Sequence, residues 1–318
     1  MNIKSLRADF LLLLTALIWG LGFVAQRSGM EYIGPFTYNA VRFPLGVLLL
    51  IPFIIYRHAH VVAFKAMLIT GICLFLAVTF QQLGMMVTTA GNAGFITGLY
   101  VIFVPIVGIF WGKKIGALTW FGVVCTLIGL YCISLLGQAS SFNPGDVFVL
   151  VSACFWTMHV LLIDRFMQQT HIDPVVFSSG QFFWCGIFSL IAAVSIESYV
   201  EPFVVQFFPE YLQSGLFSWL NFNKLIADPH LSSILHGALV PVLYGGFGSV
   251  GIAYTLQVVA QRDAQPTHAV IILCLEGLFA AIGGILLLNE QLTLTLIIGF
   301  ALMLGGMIAS QIDSLKQN

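Results

Sequence analysis

The sequence predicts an all-α membrane protein: ten transmembrane helices arranged as two inverted five-helix repeats. Three observations carry that expectation. Charge is scarce, apolar runs long enough to cross a bilayer recur along the whole chain, and the two halves align with one another.

Of the 318 residues, 59% are hydrophobic and only 8% are charged, with a mean hydropathy of +1.00. A soluble domain carries about 25% charged residues. So little charge does not cover a water-facing surface, and the partner the composition demands is a lipid bilayer. The net charge of −1 without a basic block argues against nucleic acid. Cys73, Cys125, Cys132, Cys154, Cys185 and Cys274 all lie in apolar runs, at spacings that suggest neither zinc nor a disulfide framework. Small core filler is the expectation, with no metal and no cofactor. The opening "MNIKSLRADFLLLLTALIWGLGFVAQ" has the basic lead of a signal peptide. Its apolar run is long, contains Trp19 and lacks a small-x-small cleavage site, so it reads as a retained first helix.

Runs of ~20 apolar residues mark spanning helices. Taken in order, the spans fall at 9–27, 35–56, 66–87, 91–112, 117–137, 146–164, 174–197, 235–259, 266–288 and 293–311. Lysine and arginine in the short loops orient them. With the N-terminus inside, one side receives Lys4, Arg7, Arg57, Lys65, Lys113, Lys114, Arg165, Arg262 and Lys316, and the other only Arg27 and Lys224. Both termini are therefore expected in the cytoplasm. Residues 198–233 fit no span. They are rich in aromatics but interrupted by Pro202, Pro209 and Pro229, and read as short helices on the outer leaflet, a lid over a substrate path being the alternative.

The repeat divides the chain into 1–140 and 141–318. Aligning "ADFLLLLTALIWG" with "GDVFVLVSACFWT" puts Asp9 on Asp146, Thr15 on Ser152, Ala16 on Ala153 and Trp19 on Trp156. Pro35 then matches Pro174 and Phe43 matches Phe182, while Gly122 falls on Gly299 and Gly129 on Gly306. Five spans per half is an odd number, so the second half enters the membrane upside down. The charges agree: Lys113 and Lys114 after span 4 correspond to Asn289 and Glu290 after span 9. Inverted repeats are a secondary-transporter signature, with the substrate site near the midplane between them.

The stretches "ALIWGLGFVAQR", "GPFTYNAVRF", "GNAGFITGLYVIFVP" and "LCLEGLFAAIGGILLLNEQLT" make the chain similar to the drug/metabolite transporter superfamily, specifically its EamA-type members. The resemblance covers nearly the whole chain and both repeats. It implies ten helices in the cell (inner) membrane, cytoplasmic termini, and export or exchange of small metabolites such as amino acids; a homodimer is compatible with it. Gly277 stands where the family often has proline, and the 198–233 connection is longer than usual.

"GGFGSVG", residues 245–251, contains Gly-x-Gly-x-x-Gly, but it sits inside span 8 with no strand before it and no acidic residue at the distance that grips a ribose. A helix-packing seam is the better reading, since small residues let backbones approach in lipid.

Away from the span ends two charges remain buried in the apolar runs, Arg42 and Glu276, and each costs about 2.5–3.5 kcal/mol at a helix centre on insertion scales. Arg42 matches Gln181 in the repeat, which favours a structural polar anchor at that position. Glu276 is a candidate proton carrier or a helix-joining group. Trp19 and Trp156, with His159, Tyr100 and Thr97, fall near the midplane as candidate substrate-binding residues, ordinary helix packing being the competing role. Gln82 and Gln257, matched at an offset of 175, are expected to face the cavity or a neighbouring helix. Asn92 and His268 begin spans 4 and 9 and suit helix caps. No Gly-x-Ser-x-Gly, His-Glu-x-x-His, P-loop or Cys/His cluster is present, so no catalytic residue is assigned and transport has to run on gradients. The expected function is a secondary exporter of small metabolites working by alternating access. A lipophilic-cation drug exporter is the alternative within transport, and a polytopic enzyme or scaffold the alternative of another class.

Overall fold

The computed structural model describes residues 3–317 except 31, 57–62, 87, 89, 135–143, 170, 198–230 and 289–292. The described residues form helices and no strand. Spans 1, 2 and 3 are Ile3–Met30, Pro35–Tyr56 and Phe64–Met85; spans 5, 6 and 7 are Ala117–Ser134, Pro144–Met167 and Pro174–Ser195; span 10 is Leu294–Gln317. Spans 1, 6 and 10 overrun their apolar runs because polar flanks continue a helix beyond the hydrocarbon, while spans 2, 3, 5 and 7 keep within about three residues of theirs. The exposed surface is apolar, with Phe53, Phe110, Phe121, Val194 and Val240 all turned outward, while Asn39, Arg42, Gln82, His159 and Gln181 are enclosed. A surface of this kind is stable only in lipid. The chain is a multi-pass membrane protein. The outer segment expected at 198–233 lies, up to residue 230, outside the described residues.

Spans 4 and 9 depart from the continuous helices expected. Span 4 is Ala90–Gly98 followed by Tyr100–Phe110, and span 9 is Pro266–Leu273 followed by Leu275–Leu288. At the first break the backbone tightens to i→i+3 hydrogen bonds, Leu99 N to Ile96 O and Ile102 N to Leu99 O; at the second Gly277 N reaches Cys274 O. Interrupted helices at corresponding positions of two repeats are where transporters place ligands. Span 8 also winds unevenly: Leu231–Leu243, then a π-helical stretch Tyr244–Tyr254, then Thr255–Ala260. The glycines of "GGFGSVG" lie in the wide stretch, and Gly245, Gly246 and Gly251 pack on span 2, so close that a Cβ on Gly246 would stand 2.6 Å from Leu45 Cβ. They form a packing seam.

The helix contacts survive exchange of the two halves. Span 1 packs on spans 8 and 9 as span 6 packs on spans 3 and 4, span 2 lies on span 7, and span 5 on span 10. Gly122 approaches the Gly306 carbonyl and Gly129 the Gly299 carbonyl, so spans 5 and 10 cross in opposite directions, each glycine facing the repeat counterpart of the other. One hydrogen bond repeats as well: Thr15 Oγ1 donates to Ala253 O at 3.2 Å, and its counterpart Ser152 Oγ donates to Ala77 O at 2.9 Å.

Candidate functional site

A cavity lies where the repeats meet. Its walls come in symmetric pairs: Trp19 and Gln26 from span 1 with Trp156 and Val160 from span 6; Gln81 from span 3 with Ser249, Tyr254 and Gln257 from span 8; Thr97 and Tyr100 from span 4 with Leu273 and Glu276 from span 9. Both helix breaks open onto it. Trp19 and Trp156 stand 6.5 Å apart, ring centre to ring centre. Tyr254 fills the angle between them, 4.6 Å from Trp19 and stacked at 14° and 5.9 Å on Trp156.

The polar groups are unevenly satisfied. Gln81 Nε2 donates to Thr97 Oγ1 at 3.2 Å, and Trp19 Nε1 donates to the Ser249 carbonyl at 3.4 Å. Gln257 Oε1 and Trp156 Nε1 are buried without a hydrogen-bond partner among the described residues. Glu276 is the one formally charged side chain of the lining.

Of the candidates read from the sequence, Trp19, Thr97, Tyr100, Trp156, Gln257 and Glu276 come together in this lining. His159 stands behind it, fully buried, with Nε2 2.8 Å from Gln181 Oε1 and its ring edge-on to Trp156. Gln82 is fully buried away from the lining, and the neighbouring Gln81 takes the cavity position. The reason is register. The equivalent bonds to Ala77 and Ala253 fix an offset of 176 between spans 3 and 8, which places Gln81 on Gln257. Gln26, Ser249 and Tyr254 also went unread. Arg42 is fully buried, with its guanidinium 5.1 Å above the Tyr38 ring and 5.2 Å from Phe43. It makes no ion pair with Glu276.

Beyond the cavity, polar links tie the halves together. Near the end of the molecule that carries most lysines and arginines, Lys113 pairs with Asp164 at 2.5 Å and His268 Nε2 lies 2.9 Å from Asp9 Oδ1. At the opposite end Thr88 donates to Asp146. There too Glu197, two residues beyond span 7, accepts from Phe36 N, Thr37 N and the Thr37 hydroxyl. Burial pushes the Glu197 carboxyl up to about 7, although these three hydrogen bonds pull the other way.

A multi-pass bundle of two matched halves around a polar, aromatic cavity defines the class: a membrane protein with a cavity lined by both of its halves. The chain belongs to the EamA-like transporter family, whose profile matches twice, over residues 6–135 and 143–310. An uncharacterized transporter of Archaeoglobus fulgidus is 31% identical over 298 residues, 92% of this chain and 82% of that protein. The uncharacterized transporter YoaV of Bacillus subtilis is 24% identical over 302 residues, 91% of each chain. A solved crystal structure shares the fold at a TM-score of 0.73 and 16% identity, covering 98% of both chains.

Proposed function

We propose that the protein is a secondary transporter of the cytoplasmic membrane, both termini in the cytoplasm, that exports small metabolites such as amino acids through the Trp19/Trp156 cavity. The observation that carries this reading is the pairing of the walls: spans 1, 3 and 4 are answered by spans 6, 8 and 9. A site shared by two equivalent halves has two arrangements of similar energy, one exposing it to each side, and ligand or proton shifts the balance between them. A polytopic enzyme would instead need one asymmetric catalytic cluster. With no ATP motif in the sequence, the driving force is an ion gradient, and Glu276 is the group to couple it. Counterflow from proteoliposomes loaded with amino acids, nucleosides or cationic dyes tests the reading. Exchange of at least one amino acid supports it, and no exchange of any compound sinks it.

A second reading, export of lipophilic cations, draws on the single negative side chain set among Trp19, Trp156 and Tyr254, since aromatic faces attract cations. Counterflow of the dyes without any amino acid would favour it.

A further inference from the structure

We propose that the indole N–H of Trp156 is the donor by which the cavity selects its substrate, and that the substrate offers it a carboxylate or carbonyl oxygen. The proposal rests on reading the cavity as a transport site and names the chemistry that site accepts. The two tryptophans are matched by the repeat, but their polar edges are not equivalent. Trp19 Nε1 is occupied by the Ser249 carbonyl in the π-helical stretch of span 8. The Trp156 side chain is only 9% exposed, and its Nε1 has no partner among the described residues. A buried indole N–H normally finds an acceptor, because leaving it unpaired forfeits its hydrogen bond to water. Trp156 borders the cavity, which is the route by which a group that completes its N–H would arrive. Indole nitrogen donates and does not accept, which makes that group an acceptor oxygen.

The rest of the lining describes the remainder of the molecule. Tyr254 lies flat against Trp156 and tilted against Trp19, a surface for an apolar body. Glu276 has no hydrogen bond or ion pair with any described side chain, and Gln257 Oε1 is unpartnered. Two unfilled acceptors on spans 8 and 9 suit a protonated nitrogen. The site therefore takes a small molecule that carries an acceptor oxygen and a protonated amine on an apolar framework. Trp156, and not Trp19, discriminates for the oxygen.

The test is calorimetric binding to the full chain in lipid nanodiscs, using matched probes that differ only in the acid group: phenylalanine and phenethylamine, tryptophan and tryptamine, lysine and cadaverine. Two variants remove the N–H while keeping an aromatic body, Trp156→Phe and replacement of Trp156 by benzothienylalanine, in which sulfur stands for the N–H. Loss of a hydrogen bond to a charged acceptor weakens binding of the acid-bearing member about tenfold, and the amine member changes by less than about twofold. Trp19→Phe alters both members of each pair by the same factor, because its N–H is already taken by the Ser249 carbonyl. Equal weakening of both members by both Trp156 variants overturns the proposal, as does wild-type binding that ignores the acid group. The transport reading fails separately, when probes that bind show no counterflow in proteoliposomes; selective binding lost on removing the N–H keeps the donor assignment even then.

Discussion

Asp9 at the start of span 1 lies 2.9 Å from the His268 ring at the start of span 9, and its repeat counterpart Asp146 accepts the hydroxyl of Thr88 just before span 4. Matched aspartates thus tie the halves together at opposite ends of the molecule. The Asp9 end carries a further tie in the Lys113–Asp164 pair. For the cavity to open towards that end, these contacts have to part.

Removing the pair should bias the protein towards that opening. Lys113→Gln with Asp164→Asn takes away both charges and leaves no buried carboxylate unpaired, which a single substitution at Lys113 would do. A cysteine at Val160, which lines the cavity, is expected to react faster with an impermeant thiol reagent applied from the Lys113 side in this background. An unchanged labelling rate means the pair does not hold the closure.

The seam between spans 5 and 10 supplies a packing prediction. A Cβ on Gly306 would stand 2.7 Å from the Gly122 carbonyl oxygen, whereas one on Gly305 meets nothing within 4 Å. Gly306→Leu should overpack the seam, a change that typically costs about 1–3 kcal/mol. It is expected to lower the melting temperature in detergent, and Gly305→Ala to leave it unchanged. Equal behaviour of the two variants would place the close approach elsewhere.

Glu197 gives stability a pH dependence of defined sign. Its carboxyl is raised from 4.5 to about 7 by burial. Between those values the folded protein holds a proton that the unfolded chain releases, so the contribution is whole below the window and is lost as pH rises through it. The melting temperature should fall more steeply between about pH 5 and about pH 8 in the wild type than in Glu197→Gln, which cannot titrate. Parallel slopes would show that another group governs that range.

What the sequence made legible follows from which signals are strong. The spans were readable because hydrocarbon demands long apolar runs, and the repeat because paired residues such as Asp9/Asp146 and Trp19/Trp156 keep one offset. The breaks at Leu99 and Cys274 were hidden, since neither residue is a helix breaker and the runs continue through both. Tyr254 escaped notice because the offset of 176 puts it on Val78, so no repeat match pointed to it. The glutamines show the limit most clearly. Gln81 and Gln82 are adjacent, and a one-residue error in offset turns the side chain to another face of the helix.

That register has a direct check. Gln81→Met should weaken substrate binding, because Gln81 lines the cavity beside Thr97. Gln82→Met should leave binding near wild type, because both of its amide atoms are enclosed away from the cavity. Calorimetry on the two variants with whichever amino acid supports counterflow decides between them. A larger loss for Gln82→Met would restore the offset of 175.

Glu276 carries the coupling prediction. It lies in the second half of the broken span 9, just past Cys274, and faces the cavity from a half-buried position. Arg42, the buried cation of span 2, is held over Tyr38 and Phe43 and does not neutralise it. A lone carboxylate at this depth costs about 2.5–3.5 kcal/mol on insertion scales, a penalty that falls when the group holds a proton or a cation. On the coupling proposed above, proton and substrate amine compete for this one site, and each carrier state favours one of the two occupants. Competition of this kind makes an antiporter: substrate leaves as a proton enters. Glu276→Gln keeps the size and hydrogen-bonding capacity of the side chain but holds neither proton nor charge. It should abolish accumulation driven by a pH gradient while retaining substrate-for-substrate counterflow, at weakened affinity for amines. Both assays run on the same proteoliposomes, so a misfolded variant, which fails in each, is distinguished from an uncoupled one. Gradient-driven accumulation at the wild-type rate with the wild-type pH dependence would remove Glu276 from the coupling step and leave it a helix-joining residue.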